Sequence, residues 1–154
     1  QLQQVPYQIE DLIKAAVTPL EIALDIRDIT LEVQMQPDLQ HRGDISWMTE
    51  AVSNILKNCM EHTPSGGHIR IVTKDNPLYL LIKITDSGSG FTKQDLPHIF
   101  ERFYRGQNAD TDSVGIGLAL AKRIIIAQNG TIRAYNHKKD GGAVFEIRMY
   151  KGAV

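Results

Sequence analysis

The chain is predicted to fold as an α/β two-layer sandwich of the α+β kind, a mixed, mostly antiparallel sheet with helices on one face and an irregular segment over them. Three observations carry this prediction. Apolar residues recur alternately with the helical period of 3.6 and the strand period of 2; strand-like runs outnumber helical ones; and residues 86–117 have almost no period.

Ile9, Leu12, Ile13, Ala16 and Val17 recur at helical spacing, and Pro19 kinks or breaks that helix before residues 20–26. Leu31, Val33 and Met35 alternate with Glu32, Gln34 and Gln36, a half-buried strand ending at Pro37. Residues 46–63 read as a helix that stops at Thr63-Pro64-Ser65-Gly66-Gly67. Runs at 69–73 and 78–85 flank Asp75-Asn76-Pro77 and predict a hairpin. Residues 86–117 are rich in Gly, Asp, Ser and Gln, with one short helical turn around 96–103, and a stretch of that length inside a domain is taken as functional. A helix at 118–128 closes at Asn129-Gly130. Runs at 131–135 and 144–149 form a second hairpin around Asp140-Gly141-Gly142.

The chain's 154 residues fit one domain, long enough to bury a core without staples. A single Cys can make no internal disulfide and no Cys-rich zinc site, which suggests a reducing compartment and a structural thiol. Seventeen basic and eighteen acidic side chains nearly cancel, so no bulk charge draws nucleic acid or an anionic membrane, and a small ligand is expected. No apolar stretch approaches the roughly 20 residues of a membrane helix, so a soluble domain is expected. The five histidines show no metal-ligand spacing and are expected at surface or boundary positions.

Chemistry gathers at three places. On the 46–63 helix, Ala51, Val52, Ile55, Leu56 and Cys59 share a core arc, while Glu50, Asn54 and Asn58 form an i, i+4, i+8 row along its edge. Two mid-helix asparagines are either plain boundary residues or amide oxygens for Mg²⁺, which takes one or two protein oxygens plus phosphates. Asp86-Ser87-Gly88-Ser89-Gly90 follows a strand. It is either ordinary turn chemistry or an acceptor for an exocyclic amine, with glycines that admit a flat ring. Gly115-Ile116-Gly117 opens the helix at Leu118, where unpaired N–H groups suit a phosphate. A dinucleotide fingerprint would need glycine at Leu120 and a preceding strand; a Walker loop would need Gly-Lys-Ser or Gly-Lys-Thr, and neither is present.

In order and separation these segments resemble the catalytic ATP-binding domain of sensor histidine kinases of two-component systems. Asn54-Ile55-Leu56-Lys57-Asn58 resembles the core of the N box (50–62), 86–90 the G1 box, 97–105 the F box, 115–122 the G2 box, and Gly141-Gly142-Ala143-Val144-Phe145 the last glycine-rich box. The likeness covers residues 44–150 and implies the Bergerat ATP-binding fold shared with DNA gyrase and mismatch-repair ATPases, with 1–154 as one catalytic domain and an ATP lid at 91–114.

The resemblance implies that Asp86 bonds the adenine amine, that Gly88 and Gly90 shape the base pocket, and that Asn54 and Asn58 hold Mg²⁺ against the phosphates of ATP. It completes the nucleotide contacts with Phe103, Gly115, Gly117 and Leu118. Arg102 and Arg105 are its cationic candidates for charge on a transferring phosphoryl group, and Glu50 stands one turn from Asn54 as a further catalytic candidate. Related gyrase-type ATPases carry a water-activating Glu at the position of Asn54, and an amide cannot take a proton, which favours a kinase over a hydrolase. Glu61 stands where many members carry Lys, and Val144 where the last box often has Thr or Ser.

None of the five histidines has a phosphoacceptor context. The resemblance therefore implies a cytoplasmic module, monomeric in isolation, that binds ATP or ADP and phosphorylates a histidine on a separate dimerisation and phosphoacceptor domain, for relay to a response regulator. The intact protein is expected to be membrane-anchored, with that domain upstream. The alternatives are a catalytically weak nucleotide-responsive module and a serine-directed kinase of the same fold.

Overall fold

Backbone pairing turns the predicted runs into two sheets. The computed structural model describes residues 2–104 and 116–152. Its elements are β1 (Val5–Gln8), α1 (Ile9–Val17), α2 (Glu21–Ile26), β2 (Thr30–Gln34), β3 (Gln40–Gly43), α3 (Ile45–His62), β4 (His68–Asp75), β5 (Tyr79–Asp86), α4 (Gly117–Ala127), β6 (Gly130–Asn136) and β7 (Ala143–Tyr150). The main sheet has the order β2-β4-β5-β7-β6. Among the described strands only β2 and β4 run parallel, and α3 lies in the connection that a parallel pair requires.

Alternation along the strands sends Ile69, Ile71, Leu80, Ile82, Ile84, Phe145, Ile147 and Met149 toward the helices, and all are buried. They meet Met48, Ala51, Val52, Ile55, Leu56 and Cys59 of α3 in one continuous core with α1 and α4. Each such side chain contributes about 1.5–3 kcal/mol by leaving water.

Local chemistry sets the element ends. The Asp44 carboxylate caps α3 by accepting from the Trp47 N–H at 3.2 Å, so the helix starts at Ile45, one residue earlier than its periodicity indicates. Pro19 stands in a 3₁₀ turn, Thr18–Leu20, that joins α1 to α2 as a kink. Asn76 Oδ1 accepts from Leu78 N and Tyr79 N at 2.8 and 2.9 Å and closes the β4–β5 hairpin.

Two features depart from the sequence reading. β1 and β3 form a separate antiparallel ribbon, Val5 opposite Gly43 and Gln8 opposite Gln40, where neither segment has a usable period. His41 on that ribbon is 8% exposed and packs edge-on against Tyr7, so it is a core histidine rather than a surface one. Among the described residues no helix is long and apolar enough to cross a membrane.

Candidate functional site

Asp86 ends β5 in the same parity as Leu80, Ile82 and Ile84, so its carboxylate faces the helix layer rather than solvent. It is 7% exposed. Oδ1 accepts from Gly88 N at 2.9 Å and Ala143 N at 3.2 Å, and Oδ2 is buried without a hydrogen-bond partner. Burial pushes its pKa above the usual carboxylate value, against the pull of the Gly88 and Ala143 N–H groups, the Cys59 thiol and His62. Cys59 is the residue that sequence reasoning missed here. Its thiol, itself raised well above its ordinary pKa by burial, lies against the carboxylate from α3.

The glycines around Asp86 are there because backbone crowds them. A Cβ on Gly88 would overlap the His62 carbonyl, and one on Gly142 would overlap the Asp86 carbonyl. Gly90 has φ of +78°, and a Cβ there would overlap the Gly141 carbonyl and stand 2.6 Å from Asn136 Oδ1. Gly142, just before the last strand, thus serves Asp86 directly. The Thr85–Val144 register of β5 and β7 sets Ala143 beside Asp86, and glycine lets the turn close over it.

One to two turns back along α3, a second set of groups points to the start of α4. Asn54 Nδ2 donates to the Gly117 carbonyl at 3.2 Å, and because a carbonyl only accepts, the amide oxygen of Asn54 faces away from that bond. Asn58 Oδ1, one turn on, is buried without a partner. The N-terminus of α4 has no side-chain cap, since Ile116 occupies the cap position and Leu120 N is the first to reach back to it. Its first N–H groups therefore have no side-chain cap among the described residues. Among the described residues a Cβ on Gly117 would meet only Asn54, at an ordinary 3.8 Å, so packing against them does not require glycine there. Five residues of α3 separate Asn54 from Cys59, about 8 Å along the axis at 1.5 Å per residue. The arrangement offers a buried acceptor at one end, the Asn54 amide beside an uncapped helix start at the other, and the Asn58 amide oxygen between them along α3.

The family model described as histidine kinase-, DNA gyrase B-, and HSP90-like ATPase matches residues 43–152. The chain belongs to that family. Sensor-like histidine kinase SenX3 of Mycobacterium tuberculosis is 28% identical over 144 residues, which cover 92% of this chain and 35% of the relative. Sporulation kinase B of Bacillus subtilis is 31% identical over 144 residues, covering 93% of this chain and 33% of the relative. The chain spans about a third of the length of the curated relatives it matches. Among solved structures, mycobacterial sensor histidine kinase MprB matches with a TM-score of 0.82 at 29% identity, over 94% of this chain and 97% of that one. Histidine kinase ThkA in complex with response regulator protein TrrA shares the fold, with a TM-score of 0.82 at 21% identity over 98% of this chain and 42% of that one. In fold and family this is a histidine kinase ATPase domain.

Residues 91–104 are tied down at several points. Phe91 and Phe100 both pack edge-on against Phe145, at 5.8 and 6.3 Å between ring centroids, and the Lys122 ammonium sits 5.3 Å above Phe100. Tyr104 donates its hydroxyl to Asp95 at 2.5 Å, which raises the phenol pKa. Leu96–His98 form a single 3₁₀ turn, shorter than the helical turn read from sequence. Arg102 and Phe103 are exposed, the guanidinium 4.9 Å above the ring, with Phe103 at φ of +67°. Glu50 is exposed one turn before Asn54, and Leu118 is half-buried in the first turn of α4. Arg105 and Gly115 lie outside the described residues. Glu61 is half-buried and Val144 fully buried.

Proposed function

We propose that this chain binds Mg·ATP and donates the γ-phosphoryl group to a histidine on a separate dimerisation and phosphoacceptor domain, for relay to a response regulator. The observation that carries the proposal is the pairing across α3 of the buried Asp86 carboxylate, whose Oδ2 has no hydrogen-bond partner, with the Asn54–Gly117 contact at an uncapped helix start. Asp86 accepts the adenine amine, and the glycine-crowded turn at 88–90 admits the flat base. The phosphates run toward α4, where the N–H groups of Gly117 and Leu118, with Gly115 before them, receive negative charge. Phe103, Arg102 and Arg105 belong to the lid over them, the two arginines as cations for the transferring group.

The residues fit a magnesium ion. Two amide oxygens one turn apart, at Asn54 and Asn58, are hard neutral donors, and Mg²⁺ completes its octahedron with waters and phosphate oxygens. When bound, the ion neutralises charge on the phosphates. Asn54 and Asn58 orient the polyphosphate, and neither amide can deprotonate water, which spares the γ-phosphate for the histidine. Glu50, exposed one turn away, is the carboxylate available to assist a proton. ThkA's solution with a response regulator supports the relay as the context. Isothermal titration with ATP, ADP and GTP, with and without Mg²⁺, tests the binding: adenine-selective, magnesium-dependent affinity is expected, and equal affinity for GTP would overturn the base assignment.

A further inference from the structure

Residue 91 begins the segment that would cover the nucleotide, and one side chain from a remote strand holds it. Asn136, at the end of β6, accepts from Phe91 N with Oδ1 at 2.8 Å and donates to Phe91 O with Nδ2 at 2.8 Å. A carboxamide that satisfies both backbone groups of one residue reproduces the pairing of an antiparallel ladder, so Phe91 is held as if by a neighbouring strand. The Phe91 ring is fixed as well, edge-on to Phe145 at an interplanar angle of 90°.

The sequence around the clamp is fitted to it. Gly90 must be glycine for the amide to approach, since its φ is +78° and a Cβ would stand 2.6 Å from Asn136 Oδ1. Directly beyond Phe91, Thr92 Oγ1 accepts from Asp95 N at 3.0 Å and Thr92 O from Leu96 N at 3.0 Å, starting a new local turn. The clamp therefore sits at a joint, with Asp86 and its glycine turn on one side and the lid on the other.

We propose that Asn136 is the positioning residue at the root of this segment, pinning Phe91 so that residues 92–104 leave from a fixed point beside the base pocket. This rests on the nucleotide-binding reading above. Asn136 touches neither base nor phosphate in that reading. Its effect is to hold residues 91–104 in place before a ligand arrives, so its loss weakens ligands that reach past the base pocket more than those that need the base pocket alone.

Two variants separate the clamp from simple space filling. Asn136→Ala removes both bonds, and Asn136→Asp keeps size and shape while setting an acceptor against the Phe91 carbonyl. Both are expected to bind a non-hydrolysable ATP analogue roughly tenfold more weakly, about one factor of ten for two net hydrogen bonds, and to bind adenosine within about twofold of wild type. Trypsin is expected to cut after Arg102 faster in both variants, with less protection by the analogue. Wild-type affinity and protection in Asn136→Asp would overturn the proposal, as would equal losses for adenosine and the analogue. A readout on the unmodified chain stands apart from variant folding: the Phe91 amide, with Asn136 as its acceptor, is expected to exchange slowly with solvent deuterium in nucleotide-free protein, and fast exchange would also overturn the clamp. If wild type binds neither ligand, the nucleotide reading itself fails, whatever Phe91 does.

Discussion

Replacing Asp86 by Asn probes the base pocket with little disturbance of the fold. The two backbone donors to Asp86, Gly88 N and Ala143 N, both bond Oδ1, and an asparagine oxygen placed there keeps both. What changes is the buried Oδ2, which becomes an NH₂ that presents donors to the donor amine of adenine. A hydrogen bond to a charged partner is worth about 1.5–3 kcal/mol, so ATP and ADP should bind roughly ten- to a hundredfold more weakly by calorimetry, with the melting temperature close to wild type. Affinity should also follow pH. Burial holds the Asp86 pKa above 3.8, so ATP binding should weaken on acidification sooner than an unperturbed carboxylate would allow. The stability contribution of this group runs the other way: the folded state holds the proton more tightly, so the contribution is present in acid and lost as pH rises through the raised pKa. Unchanged ATP affinity in Asp86→Asn, at a pH where wild type binds, would refute the reasoning.

Asn54→Ala should abolish the magnesium dependence of ATP binding while Asn54→Asp preserves or strengthens it, and wild-type metal dependence in the alanine variant would place the ion elsewhere. Two glycine substitutions should behave oppositely. Gly142→Ala drives a methyl into the Asp86 carbonyl and should destabilise the fold by about 1–3 kcal/mol by thermal melting, whereas Gly117→Ala makes only an ordinary contact with Asn54 among the described residues and gains helix propensity, so it should melt no lower than wild type yet bind ATP more weakly. Undiminished ATP affinity in Gly117→Ala would remove the α4 start from the phosphate site. Incubated alone with labelled ATP and Mg²⁺, the chain should incorporate no acid-labile phosphate, and with its parent protein's acceptor domain in trans it should label that domain at a modest rate, since tethering is lost. Arg105→Ala should slow that transfer more than it weakens ATP binding. Failure to label a folded acceptor, with ATP binding intact, would favour the nucleotide-responsive regulatory module.

The sequence by itself determined the elements whose signals are local. The core arc of α3 follows from Ala51, Val52, Ile55, Leu56 and Cys59 at helical spacing, and all five are buried. The edge row of Glu50, Asn54 and Asn58, the position of Asp86 at a strand end, and both hairpins were legible in the same way, because period and turn chemistry are written in neighbouring residues. Tertiary structure alone decided which backbone met which. The ribbon of β1 with β3 joins segments about 35 residues apart that carry no period, and the β5–β7 register that brings Ala143 to Asp86 pairs strands whose own periods do not name each other. It also decided that Cys59 lies against that carboxylate, that His41 is in the core, and that Asn136 reaches Phe91 across 45 residues. Every residue except proline offers the same N–H and C=O, so nothing in a strand's composition names its partner or the side chain that will cap it. That choice is made when the apolar faces close on one another and leave each polar group only the neighbours that packing provides.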